Sequence, residues 1–298
     1  MARPLITARD VEQTRNLVVP PGAIVTPLAR ELIRRRGLPI QREALAVVGR
    51  QPRRLVVANW KSHKTVVEAE TFARTFRQLD RRRQRATAVI CPPFTALDAL
   101  RRMLGKEAEL GAQDVSAHGE GAHTGCITAA MLVELECRFA IVGHSERRHA
   151  GEDDALCRAK VRAALRGGLD PILCVGETQA EREAGRAERI VRIQLVAALE
   201  GLAPDELRRT VVAYEPRWAI GTGLTPTSAQ VEEMLASLRR VLESVGQIEA
   251  ARRVSVLYGG SVNERNAAEL LALPGCSGAL IGGASLSPER FGAILAAS

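Results

Sequence analysis

The 298 residues are 46% hydrophobic and 26% charged, a balance that supports a buried core and excludes a disordered chain. Aromatics are only 3%, so that core must be aliphatic. The formal charge of +8 sits at one end: residues 1–54 hold eleven arginines, no lysine and four acids, whereas the rest of the chain holds 31 basic and 30 acidic residues, which excludes an electrostatic footprint for nucleic acid on the main body.

The start, Met1-Ala2-Arg3-Pro4-Leu5, carries no signal-peptide core, and no apolar run approaches the roughly 20 residues of a membrane span. A cytoplasmic location without membrane contact is expected. Six scattered cysteines without C-x-x-C pairs read as reduced thiols, neither bridges nor metal ligands. Residues 1–53 then form a basic extension, expected to be a small strand-helix element. Leu17-Val18-Val19 predicts a short strand and Pro20-Pro21-Gly22 a turn. Thr26 caps a predicted helix that has Pro27 at its first position and Gly37 after its end, with Leu28, Leu32 and Ile33 along one face. Gln51-Pro52-Arg53-Arg54 reads as a linker.

From residue 54 to 298, short continuous apolar runs alternate with amphipathic segments. Eight strands are predicted, at Leu55-Val56-Val57-Ala58, Ala88-Val89-Ile90-Cys91, Glu109-Leu110-Gly111-Ala112, Phe139-Ala140-Ile141-Val142, Pro171-Ile172-Leu173-Cys174-Val175, Thr210-Val211-Val212-Ala213, Val254-Ser255-Val256-Leu257 and Gly278-Ala279-Leu280-Ile281. Continuous apolar character means burial on both faces, as in parallel strands. Helices are predicted over Val66 to Asp80, Glu181 to Glu200 and Ser228 to Val245. Eight such units favour a (β/α)8 barrel of the α/β class over a doubly wound sheet.

In a barrel, chemistry gathers at the C-terminal ends of the strands. Polar residues stand there: Asn59-Trp60-Lys61 after the first strand, Gly143-His144-Ser145-Glu146-Arg147-Arg148 after the fourth, Tyr258-Gly259-Gly260-Ser261 after the seventh and Gly282-Gly283 after the eighth. The sixth run delivers Glu215, followed by Pro216-Arg217-Trp218-Ala219-Ile220-Gly221-Thr222-Gly223. That is the layout of a catalytic base with a hinged lid directly behind it. His144 lies beside a predicted helix start, where the helix dipole disfavours a positive imidazole. Lys61 offers a fixed positive charge and Asn59 a donor. Ser261 and the glycine pairs let the main chain close on a phosphate group.

These five motifs, in this order, resemble triosephosphate isomerases over residues 54–298. The resemblance implies aldose-ketose isomerisation of dihydroxyacetone phosphate and glyceraldehyde 3-phosphate through an enediol, with no metal and no organic cofactor. A glutamate base paired with a neutral histidine electrophile is the standing example set by triosephosphate isomerase itself, so that assignment to Glu215 and His144 is carried over by resemblance. Lys61, Asn59, Ser145 and Glu146 follow as assisting residues, and Gly221, Ser261, Gly282 and Gly283 as the phosphate grip. Gly119-Glu120-Gly121-Ala122-His123-Thr124-Gly125 resembles the loop by which the family forms homodimers, with Thr124 reaching the partner subunit. The chain departs from the family pattern at Ser62, Arg217, His123 and Cys126. Ser62, Arg217 and the extension motivate an alternative, an isomerase of a four-carbon ketose phosphate such as erythrulose 1-phosphate. The stretch from Pro20 to Arg30 also resembles short N-terminal segments of bacterial microcompartment enzymes, which implies a protein partner recruited through residues 1–53.

Overall fold

The computed structural model describes residues 5–14, 17–19, 24–38, 40–42, 54–79, 86–219, 226–245 and 248–298. The chain divides into two compact units, Met1–Gln51 and Pro52–Ser298. The first contains β1 (Leu5–Ile6), α1 (Ala8–Glu12), β2 (Leu17–Val19), β3 (Ile24–Val25), α2 (Pro27–Arg36) and β4 (Ile40–Arg42). β1 pairs in parallel with β3, and β2 with β4.

The expected start and stop signals act at α2. Thr26 Oγ1 accepts the Ala29 amide at 3.3 Å, and Gly37 closes the helix at φ +58°, a left-handed angle that suits glycine. The expected apolar face needs one correction. Leu28 is 59% exposed, and Ala29 and Ile33 are buried instead, packed with Val11 and Leu17. Residues four apart share a helix face, and Leu28 is turned about 100° from Ala29. The expected turn at Pro20-Pro21-Gly22 and the linker residues Gln51-Pro52-Arg53 lie outside the described residues.

The second unit is a closed barrel of eight parallel strands in chain order: β5 (Leu55–Asn59), β6 (Thr87–Cys91), β7 (Glu109–Ala112), β8 (Cys137–Val142), β9 (Asp170–Val175), β10 (Val211–Tyr214), β11 (Ser255–Tyr258) and β12 (Gly278–Ile281). β12 closes onto β5 in the register Gly278↔Leu55 to Ile281↔Ala58. The fold is a (β/α)8 barrel. Between and after the strands lie α3 (Val66–Gln78), α4 (Leu97–Leu104), α5 (Ala129–Glu134), α6 (Ser145–His149), α7 (Asp154–Gly167), α8 (Gln179–Glu183), α9 (Ala187–Leu199), α10 (Pro204–Arg209), α11 (Ser228–Val245), α12 (Ile248–Ala251), α13 (Ala267–Ala272) and α14 (Pro288–Ala296). The helix expected over Glu181 to Glu200 is two helices, because Gly185 takes φ +66° between α8 and α9. No helix among the described residues is long and apolar enough to cross a membrane.

Strand alternation separates two apolar layers. Leu55, Val57, Val89, Phe139, Ile141, Ile172, Val211, Ala213, Leu257 and Leu280 fill the barrel interior. Val56, Ala58, Ile90, Val142, Leu173, Val212 and Tyr214 face the helices. The same parity decides what reaches the mouth. Asn59 continues the inward series Leu55, Val57, and Glu215 continues Val211, Ala213.

Candidate active site

Asn59, Lys61, His144 and Glu215 line one cleft of about 220 Å³, closed on the other side by Gly259, Gly260, Ser261, Gly282 and Gly283. Sequence reasoning placed these side chains at separate strand ends, and the barrel brings them together. Asn59, His144 and Glu215 are all buried at the cleft floor.

His144 has the outward parity of Ala140 and Val142, so alternation alone would aim it at the helices. Gly143 reverses this. Its φ of +70° turns the chain, and His144 becomes the cap of α6 at the mouth. The Glu146 amide donates to His144 Nδ1 at 3.3 Å, which leaves the ring hydrogen on Nε2. That Nε2 stands 3.2 Å from Glu215 Oε1, while Glu215 Oε2 accepts the Ser145 amide at 3.0 Å. The Ser145 hydroxyl itself is buried and has no hydrogen-bond partner among the described residues.

Lys61 adopts φ +51°, held by two hydrogen bonds: its own amide donates to Asn59 Oδ1 at 3.0 Å, and its carbonyl accepts Gln113 Nε2 at 2.8 Å. Because Asn59 spends its oxygen on Lys61, its amide NH2 is the group left for the cleft. Lys61 Nζ pairs with Glu146 Oε1 at 2.7 Å. Partial burial opposes ionisation of Glu146, but the hydrogen bond and charge of Lys61 outweigh it and lower the carboxyl below its ordinary 4.5.

Ser261 Oγ lies 3.4 Å from Ala219 O, at the base of the segment that leads into the lid. Gly282 precedes a short 3-10 turn, Gly283–Leu286, and a Cβ on Gly282 would lie 3.6 Å from the Lys61 side chain. Of the expected lid, Pro216 to Gly223, the part from residue 220 onward, Gly221 included, lies outside the described residues. Thr124 is exposed in the loop closed by the Ser116 amide on Ile127 O at 2.8 Å, and does not border the cleft.

A carboxylate, an imidazole N–H, a carboxamide and an ammonium thus converge beside backbone amides. Such a set can move a proton next to a polarised oxygen while gripping an anionic tail. A family model described as triosephosphate isomerase matches residues 54–298. The chain belongs to the triosephosphate isomerase family. It is 49% identical to a triosephosphate isomerase of Symbiobacterium thermophilum over 82% of this chain and 96% of the relative. It is 46% identical to those of Chloroflexus aurantiacus (80% and 96%) and Thermus thermophilus (81% and 97%). The family match begins at residue 54.

Within this triosephosphate isomerase barrel, three supporting residues escaped sequence reasoning. Glu177, fully buried, accepts from Tyr214 Oη at 3.1 Å, Trp218 Nε1 at 2.9 Å and Arg182 at 2.9 Å, so it ties the strand before Glu215 to the lid hinge. Lys160, buried on α7, bridges Asp114 and Glu152 at 2.6 Å each, and Glu152 Oε1 accepts the Gly143 amide at 2.7 Å. Gly176-Glu177 directly follows a strand run, the same positional signal that exposed the other motifs. Nothing in the spacing of Lys160 and Glu152 distinguishes them from surface charges.

Proposed function

We propose that this isomerase interconverts dihydroxyacetone phosphate and glyceraldehyde 3-phosphate. The observation that carries the reading is the 3.2 Å approach of His144 Nε2 to Glu215 Oε1 in a cleft that Lys61 and Asn59 also line. Glu215 takes a proton from the carbon next to the carbonyl and returns it to the neighbouring carbon. His144 Nε2–H, the Asn59 amide and the Lys61 ammonium donate to the oxygen that becomes negative in the enediolate. The hydroxyl proton passes between the two oxygens by way of His144 Nε2 as Glu215 moves the carbon-bound one, so substrate and product are isomers and the chemistry balances without a redox cofactor.

Backbone amides around Ser261, Gly282 and Gly283 grip the phosphate, and Gly221 completes that grip from the lid. Closure excludes water, which protects an enediol phosphate from losing its phosphate. Glu146 orients Lys61 and His144, and Ser145 sets one oxygen of the base. Residues 54–298 are the catalytic domain. Thr124 reaches across a homodimer into the partner's site, the protein works in the cytoplasm, and residues 1–53 recruit a protein partner.

The names of the relatives favour the triose over a four-carbon ketose phosphate. Steady-state isomerisation of glyceraldehyde 3-phosphate, with Glu215→Gln as the blank, tests the reading. A kcat/KM of about 10⁷–10⁸ M⁻¹s⁻¹ that is lost in the variant supports it. A rate hundreds of times slower that still depends on Glu215 would point to the four-carbon substrate.

A further inference from the structure

The position of Glu215 depends on the end of β9 as much as on its own strand. Past β9 the chain runs as Gly176-Glu177 against residues 215–217: the Glu215 amide donates to Val175 O at 2.8 Å and the Arg217 amide to Glu177 O at 3.0 Å. At Gly176 the two backbones approach more closely than any side chain allows, since a Cβ there would lie 1.7 Å from Glu215 O. A shift of the Gly176 peptide therefore passes directly into the peptide that carries the base.

The Gly176 peptide is fixed from α9. Gln194 Oε1 accepts the Gly176 amide at 2.8 Å, and Gln194 Nε2 donates back to Gly176 O at 3.2 Å. The Gln194 side chain is 7% exposed and sits among the buried apolar residues Val191, Leu195 and Ala198 of the same helix. An apolar residue would suit that stripe better, yet it would leave a buried N–H and C=O of Gly176 unpaired. Only a carboxamide offers a neutral donor and acceptor in one planar fork.

We propose that Gln194 is a positioning residue for the reaction, clamping the Gly176 peptide so that the Glu215 carboxylate keeps its place beside His144; this rests on the isomerase reading above. Gln194 does not border the cleft, so its loss acts on turnover and not on substrate binding. A misplacement on the order of 1 Å costs about a hundredfold in rate.

Gln194→Leu and the isosteric Gln194→Glu are compared with the wild type on glyceraldehyde 3-phosphate. The expected result is a kcat lower by about 10- to 100-fold in the leucine variant, with KM within about threefold. In Gln194→Glu the acceptor for the Gly176 amide remains, while a donor to Gly176 O exists only when the carboxyl is protonated. Its kcat relative to the wild type should therefore climb as pH falls, which a merely structural role would not produce. A kcat within threefold of the wild type in both variants, a KM that rises as kcat falls, or a flat pH ratio overturns the proposal. If Gln194→Leu does not fold, Gln194→Glu decides alone. If the wild type itself does not turn over triose phosphates, the isomerase reading has failed separately. The clamp is then judged by hydrogen exchange of the Gly176 amide, expected to quicken at least about tenfold in Gln194→Leu, which removes its acceptor, and an unchanged rate overturns it.

Discussion

His144 Nε2 and Glu215 Oε1 are 3.2 Å apart with both side chains nearly buried, so the two groups proposed to act on adjacent atoms of one substrate already stand side by side. The remaining polar atoms are also engaged, Nδ1 by the Glu146 amide and Oε2 by the Ser145 amide. Oε1 accepts no backbone amide among the described residues, so it is the oxygen open to a C–H proton. The backbone donors hold tautomer and aim, and His144 Nε2 is the ring nitrogen left for a substrate carbonyl.

Glu215→Gln removes the base while preserving shape. General-base catalysis is worth about 10²–10⁴-fold, so kcat should fall by that factor with KM changed only a few-fold. Steady-state kinetics at saturating substrate checks this. A variant that loses affinity and keeps kcat would place the base elsewhere.

Acid should unfold the barrel partly through Glu152. Burial opposes its charge, but Lys160, the Gly143 amide and Arg147 overcome that and hold its pKa below the ordinary 4.5. A carboxyl depressed on folding contributes stability that is complete above its unfolded value and disappears as pH falls through its folded value. The wild-type urea midpoint should therefore drop below about pH 4.5 more steeply than that of Glu152→Gln. Parallel slopes would show that Glu152 is not linked to folding. Lys160→Met at neutral pH leaves two acidic groups without their buried partner, a loss of about 3–5 kcal/mol.

The barrel was legible because parallel strands buried on both faces leave unbroken apolar runs. β5 to β12 fall within one or two residues of the predicted segments. Strand-end position likewise marked Asn59, Lys61, His144 and Glu215, which line one cleft: alternation turns Asn59 and Glu215 inward, whereas His144 depends on the turn at Gly143. Gln194 was illegible for the opposite reason: it lies inside an apolar helical stripe and its partner is a backbone peptide, which carries no sequence mark. The face of α2 was misjudged because Leu28 and Ala29 differ by one position, and hydrophobicity ranks the leucine first while the packing buries the alanine.

Glu177 should respond unequally to loss of its donors. Removing the Tyr214 hydroxyl takes one neutral donor from a buried carboxylate, which costs about 1.5–3 kcal/mol. Arg182→Met removes the only cation bonded to that carboxylate among the described residues, and costs about 3–5 kcal/mol. Urea unfolding of Tyr214→Phe and Arg182→Met should rank them in that order. The reverse order would mean that the hydroxyl, not the charge, secures the hinge. Trp218 is the reporter, since its Nε1–H shares the same carboxylate, so both variants should also shift its fluorescence.

Lys61 should matter for catalysis and little for stability. Its ion pair with Glu146 is solvent-accessible, with side chains 28% and 57% exposed, and pairs of that kind contribute at most about 1 kcal/mol. Its backbone at φ +51° is costly for any side chain, so substitution neither relieves nor adds strain. In the proposed reaction, by contrast, the ammonium that lines the cleft is a fixed charge for both the developing oxyanion and the phosphate. Loss of one such donor costs about 10²–10³-fold in rate. Lys61→Met should therefore lower kcat/KM by at least that factor and leave the urea midpoint within experimental error of the wild type. Its residual kcat/KM should also depend less on ionic strength, because the charge that draws the dianion into the cleft has gone. A variant that unfolds early, or one that keeps the wild-type salt dependence, would show that Lys61 serves the fold and not the substrate.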